Sequence, residues 1–279
     1  MANETTSSTV SELYTEIVAE ALFVASEQSI MRNLVRNYTI AGGGKSVEVP
    51  IYANVSAAAV NEATDLSNTA INPTSVTITA SEVGIMTTLT DLARNSASRN
   101  VAADIGRLFG EAIARKIDAD LSALFTGFST ERGGGAGNEL TVQDLFEAAA
   151  DLRTANAPAP YYGVFHPKQI FNVKKSLTNT FVGRDTELSN EAMRSGFVGN
   201  IAGIQIFESS NVSVDGSDDS IGGVFSQDAL ALAMMQDLKI ESQRDASLRA
   251  DELVATAVFG VSEIHDSYGV KLTADSLAN

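Results

Sequence analysis

Few stretches of this chain combine residue types and spacings that could do chemistry. Gly44-Lys45-Ser46 stands behind two more glycines and invites a phosphate-binding loop. Such a loop needs a glycine five residues before its Gly-Lys pair, so that backbone N–H groups curl around a phosphate. That position is Thr39. The loop must also open a helix, whose N-terminus favours an anion. Here Val47, Val49, Ile51, Ala53 and Val55 alternate with Glu48, Pro50, Tyr52, Asn54 and Ser56, which is the period of a half-buried strand. The glycines therefore launch a strand. The two histidines, His166 and His265, have no partner at metal-ligand spacing. Asp215, Asp218 and Asp219 in "DGSDDS" lack the alternating spacing and distal glutamate of a calcium loop and read as a surface turn. "GGGAG" (133–137) follows a helical pattern, not a strand, and is no dinucleotide fingerprint. No Gly-x-Ser-x-Gly elbow occurs. Carboxylates are plentiful, so an acid/base pair stays open in principle, but nothing singles one out. The expectation is no catalytic residue, no metal and no cofactor.

Charge narrows the partners. The 279 residues carry a net charge of −16, with 19 Lys and Arg against 35 Asp and Glu. Grip on nucleic acid comes largely from cations that replace condensed counterions, and this chain has few to spare. It is compatible with lying beside DNA without sequence-specific binding. Apolar residues make up 44% and charged ones 19%, a globular composition. There is no cysteine, hence neither disulfide nor thiolate site. The opening residues carry Glu4 where a signal peptide needs a basic patch, and "IVAEALFVA" is too short to span a bilayer. A soluble, unexported chain with no membrane partner is expected.

The elements come next. Val10, Leu13, Tyr14, Ile17, Val18, Ala21 and Leu22 fall at helical spacing, predicting a helix in the stretch from Val10 to about Leu34. A strand from Ser46 to Ser56, a loop to Pro73, and a second alternating run through Val76, Ile78, Val83, Ile85 and Leu89 predict one long hairpin over 46–90. A phase break near Ser81 and Glu82 suggests a bulge. Pro50 cannot donate to a ladder, which puts that strand at an edge. No Lys or Arg occurs between Val47 and Leu92. From Ser98 to Phe128, apolar residues including Ile105, Leu108, Phe109, Ile113, Ile117, Leu121 and Phe125 recur at three- and four-residue steps. That helix would be about 40 Å long. "ERGGGAGNE" ends it as a turn. A helix over 144–156, a strand over 161–165, a helix opened by Pro167, glycine-punctuated strands near 196–213, a strand and turn over 221–235, a further strand at 238–243, alternation through 253–261 and a final strand in "SYGVKLTAD" complete an α+β order without internal repeats.

This order, with "YYGVFHPKQIFNVKKSL", "GFVGNIAGIQIFESSNVS" and "GGVFSQDALALAMMQDLKIESQRD", resembles the major capsid protein of tailed phages, the Hong Kong 97 phage capsid fold that encapsulin shells share. The resemblance implies an N-terminal arm at 1–40 and an extended hairpin, the E-loop, at 41–93. It implies a peripheral-domain spine helix and turn at 94–139, an axial domain at 140–240, and returning peripheral strands with the C-terminus at 241–279. It implies an icosahedral head shell around double-stranded DNA, built of pentamers and hexamers of this chain, assembled in the host cytoplasm and ending in the virion. A portal, a separate scaffolding protein and a possible decoration protein go with it. An encapsulin-type compartment is the alternative, and a surface array or filament a more remote one.

A two-stranded hairpin is marginal by itself in water. The apolar positions Val47, Val49, Ile51, Val76, Ile78 and Ile85 are therefore expected to meet a neighbouring subunit. The acids Glu62 and Asp65 are expected to meet basic residues there, with Arg32, Arg36, Arg94, Arg99, Lys168, Lys174 and Lys175 as candidates. Some relatives cross-link through a lysine near the hairpin tip; none is present here, so no such bond is expected.

Overall fold

A computed structural model of the chain describes residues 21, 29–40, 44–52, 55, 57, 59–61, 65, 68, 70–96, 101–181 and 199–276. Most of the helix expected after Val10 and the tip residue Glu62 lie outside the described residues.

Strands β1 (Arg36–Thr39), β10 (Leu230–Asp245), β11 (Ala250–Glu263) and β4 (Ser81–Thr90) form one sheet in the order β1-β10-β11-β4. β1 runs parallel to β10, while β10–β11 and β11–β4 are antiparallel. One face buries Leu232, Ile240, Leu253, Ala255, Ala257 and Phe259. They pack against Phe109, Ile113 and Ile117 of helix α2 (Val101–Ala123), which follows the short helix α1 (Asp91–Ser96). The alternation of β11, with Leu253, Ala255, Ala257 and Phe259 all inward, is the period-two pattern made physical. At 1.5 Å per residue, α2 is about 35 Å long. It is shorter than the sequence suggests because the chain tightens into a 3-10 turn at Leu124–Gly127, with Phe125 and Phe128 buried. Leu108, expected on the buried stripe, is 58% exposed.

The second sheet has six strands in the order β5-β12-β9-β6-β8-β7. These are β5 (Glu131–Arg132), β12 (Gly269–Asp275), β9 (Asp219–Ser226), β6 (Tyr161–Phe165), β8 (Ile204–Glu208) and β7 (Asn200–Ile201). Leu145, Ala149 and Leu152 of helix α3 (Val142–Thr154) and Ile170 and Val173 of helix α4 (Pro167–Phe181) pack with Phe165, Val224 and Leu272 in one core. Thr141 caps α3: Asp144 accepts its backbone N–H at 2.8 Å. Pro167 opens α4, where a missing N–H costs little. Val164 and Phe225 point the other way, into the core shared with Phe125 and Phe128. Gly269 is required at that contact, since a Cβ there would stand 2.1 Å from the Phe128 ring.

The third unit is a two-stranded ribbon, β2 (Ser46–Ile51) with β3 (Thr74–Thr79), in register from Ser46↔Thr79 to Ile51↔Thr74. Among the described residues β2 pairs only with β3, so the missing N–H of Pro50 breaks no ladder on the other side.

The structure redraws four expectations. The run 46–90 is not one hairpin: after Ala80 the chain leaves the ribbon and β4 enters the four-stranded sheet beside β11. The phase break near Ser81 marks that change of sheet rather than a bulge. The arm residues 36–39 form a strand, β1. The strands read separately at 221–235 and 238–243 regroup, because β9 and β10 divide at the 227–229 turn and β10 runs on through register shifts at Met234/Gln236 and Gln236/Lys239. Of the strands grouped in 241–275, β11 belongs to the four-stranded sheet and β12 to the six-stranded one.

Candidate subunit-contact surfaces

The ribbon root lies on the face of the four-stranded sheet opposite α2. Val49 and Ile78, 6% and 1% exposed, pack with Ile40, Ala231, Ala233 and Ile264, and Val47 and Ile51 flank them half-buried. Small alanines on β10 give the ribbon room to approach. Closest approach falls at Gly260, where a Cβ would stand 2.3 Å from the Thr79 carbonyl oxygen and 2.8 Å from its carbon. Both are backbone atoms, so glycine is the residue that lets the ribbon cross β11. Ala80 donates its N–H to the Lys45 carbonyl at 2.8 Å, closing the crossing. Val49 and Ile78 are therefore covered by their own subunit, which corrects the expectation that they await a neighbour. Val76 is half-buried outside this cluster, and Ile85 sits on β4 at 37% exposure.

The uncovered apolar surface lies farther along. Tyr52, Val55, Val60 and Ile71, between the ribbon strands, are 62%, 60%, 50% and 57% exposed, and on and after β4 Met86 and Leu92 reach 61% and 79%. The sequence reading missed these six. Tyr52, Val55 and Met86 lie in alternating runs and Val60, Ile71 and Leu92 outside them, and periodicity does not tell which of them no part of the subunit covers. Asp65 lies in the same exposed stretch.

The basic candidates divide. Arg32 pairs with Asp237 at 3.3 Å and Arg36 with Asp228 at 2.6 Å. Lys174 pairs with Glu208 at 2.9 Å and Lys175 with Glu139 at 2.8 Å. All four have a partner within the chain and stay partly exposed, Arg36 at 54%. Arg99 and the Arg94 side chain lie outside the described residues. Arg244, not singled out from sequence, bridges Asp91 at 2.6 Å and Asp251 at 3.1 Å, tying α1 to the sheet.

The chemical candidates resolve into structural roles. Gly44-Lys45-Ser46 opens β2, not a helix. Asp215 accepts the N–H groups of Ser217 and Asp219 at 2.8 and 2.9 Å, and Asp219 accepts that of Gly137 at 2.8 Å, so this turn is tied to itself and to the glycine loop. His166 accepts the Lys168 N–H at 3.3 Å; burial first, then Lys168, hold its imidazole below the ordinary range. Among the described residues, no three metal-ligating side chains gather.

One buried carboxylate escaped the sequence reading. Asp118 of α2, 1% exposed, accepts the Ser29 hydroxyl at 2.7 Å and the N–H groups of Ile30 and Met31 at 3.2 and 3.1 Å. It stitches residues 29–31 to the C-terminal part of α2. Desolvation raises its carboxyl above the ordinary range against the lowering effect of these donors.

A long helix beneath a sheet, a six-stranded sheet beside it and a two-stranded ribbon make up a fold that solved phage capsids share. The chain matches the capsid of Cyanophage P-SCSP1u with a TM-score of 0.69 at 20% identity, covering 88% of each chain. It matches Mycobacterium phage Che8 at 0.66 and 22% identity, covering 82% of this chain and 84% of that one. It matches the head of Helicobacter pylori bacteriophage KHP40 at 0.66 and 14%, covering 87% and 88%. No curated protein sequence matches. Residues 73–271 match the model of the family described as phage capsid protein, and the chain belongs to that family. Its role is that of a major capsid protein, a structural subunit of the icosahedral shell. Membership of this family favours the phage shell over the encapsulin-type compartment.

Proposed function

We propose that copies of this chain assemble as pentamers and hexamers into a phage head in the host cytoplasm, with each ribbon reaching onto a neighbouring subunit. The observation that carries this reading is the contrast within residues 46–79. The ribbon root is packed on its own sheet. The stretch beyond it exposes Tyr52, Val55, Val60 and Ile71. Several exposed apolar residues in one projecting segment mark a contact surface rather than a solvated loop. Glu62 and Asp65 then meet basic residues of the neighbour, with Arg32, Arg36, Arg94, Arg99, Lys168, Lys174 and Lys175 as candidates. Exposed pairs of this kind are each weak and act by number. A separate scaffolding protein guides closure, a portal occupies one vertex, a decoration protein has room outside, and the acidic shell encloses DNA without reading its sequence. No catalytic step is required.

The test is to replace residues 55–70 by a short glycine-serine linker. The subunit should keep its melting temperature and lose shell formation by electron microscopy. Closed shells from that variant, or a wild-type protein that stays monomeric under assembly conditions, would overturn the proposal.

A further inference from the structure

Three chain crossings join the two sheets, and they meet at one place. The end of α2 runs through Leu124–Gly127 and Ser129 to β5; β9 turns into β10 at residues 227–229; β11 passes to β12 through a 3-10 turn at Asp266–Tyr268. Ile264 and His265 both donate N–H groups to the Ala229 carbonyl, at 2.8 and 3.2 Å. Ser129 donates its N–H to one Asp266 carboxylate oxygen at 2.7 Å and its hydroxyl to the other. The Glu263 carboxyl reaches over Gly127, where a Cβ would stand 2.8 Å from its Oε2, and shares a hydrogen bond with Asp266. Two carboxyl groups thus touch at the only described passage between the halves, and one of them already accepts both donors of Ser129. Two carboxylates in contact repel, whereas a single proton between them turns repulsion into a short, strong hydrogen bond.

We propose that Glu263 and Asp266 form a proton-operated clasp between the end of α2 and the β11–β12 corner. With one proton shared, Glu263 donates to Asp266, Asp266 holds Ser129, and the two sheets are locked. When that proton leaves, the two negative groups push apart and the Ser129 attachment weakens.

The other charges around this corner are accounted for. The β9–β10 turn brings Asp228, paired with Arg36 of β1 at 2.6 Å. β12 and β5 bring Lys271 and Glu131, paired with each other at 3.4 Å. The segment Leu124–Ser129 brings none. His265 stacks on Tyr268 with ring centroids 4.6 Å apart. Burial first, then Asp266, raises the Glu263 carboxyl above its ordinary range. Its folded form therefore keeps a proton that the unfolded chain has released, and the clasp loosens as pH rises through the folded value. His265 is lowered by burial, with Asp228 opposing, so its charging costs stability as pH falls, the opposite sign.

Hydrogen exchange on the purified full chain, corrected for intrinsic rates, tests this in any assembly state. Between pH 5 and pH 8, protection of amides 128–131 and 264–268 should fall about three- to tenfold. In Glu263→Gln, whose amide still donates to Asp266, the same amides should be protected at both pH values. Ser129→Ala, which keeps its backbone N–H, should lose protection there at every pH. A wild-type pH profile surviving in Glu263→Gln, a loss spread equally over 46–51 and 74–79, or an unaltered corner in Ser129→Ala would each overturn the clasp.

Discussion

The six-stranded sheet and the ribbon-bearing four-stranded sheet solve opposite problems. In the first, β6 and β9 are buried along nearly their whole length, with α3 and α4 over one face and the Phe125–Phe128 cluster under the other. In the second, α2 covers one face, the ribbon root covers one end of the other, and β4 alternates between half-buried and exposed along an edge. A sheet covered on both faces completes itself. A sheet covered on one and a half leaves surface, and in a shell subunit that is the surface available to other copies.

The sharpest way to break this contrast is in the self-sufficient half. Phe165 is fully buried, and both Gly163 and Gly222 lie against its ring. Phe165→Ala should cost about 3–5 kcal/mol in denaturant unfolding of the unassembled subunit. A loss below about 1 kcal/mol would mean that this core is not what holds the six-stranded half together.

Gly260→Val comes next, about 3 kcal/mol, because the added side chain meets backbone at 2.3 Å that has nowhere to go. Exchange protection should vanish from 46–51 and 74–79 and persist in β6 and β9, and shells should fail to form. Protection lost everywhere at once would merge the two regions into one cooperative unit.

Asp118→Ala strands one hydroxyl and two N–H groups in a buried place, a loss of about 2 kcal/mol. Protease cuts should appear first near residues 29–35. An arm that stays resistant would mean other contacts anchor it.

The smallest effect on the subunit belongs to Met86→Lys on the exposed edge strand, within about 0.5 kcal/mol. Its effect on assembly should be much larger, read as fewer closed shells at equal concentration. Unaltered assembly would confine the contact to the loop beyond the ribbon.

The comparison also explains what could be read from residues alone. The α2 stripe, the Pro167 start of α4 and the alternation of β11 are local patterns, and each carries its own period. What escaped depends on long-range partners. Nothing local tells that β4 would leave β3 after Ala80, since both strands alternate and only Gly260, 180 positions downstream of Ala80, makes the crossing possible. Likewise Val49 and Ile78 carry the same pattern whether the surface they meet is their own sheet or a neighbour's. Arg32 and Arg36 were legible as cations, while their pairing with Asp237 and Asp228 is a product of the fold. Val60 and Ile71 follow no period, and the alternation through Tyr52 and Val55 does not tell that both stay exposed, so the exposed contact surface was the least legible part.

The bare glycine under the Thr79 carbonyl sets the mechanics of the ribbon. With backbone resting on backbone at its base, the arm has no slack there to absorb a pull. A tug at the far end is delivered as shear to the long central strand beneath it rather than taken up by a slack tether.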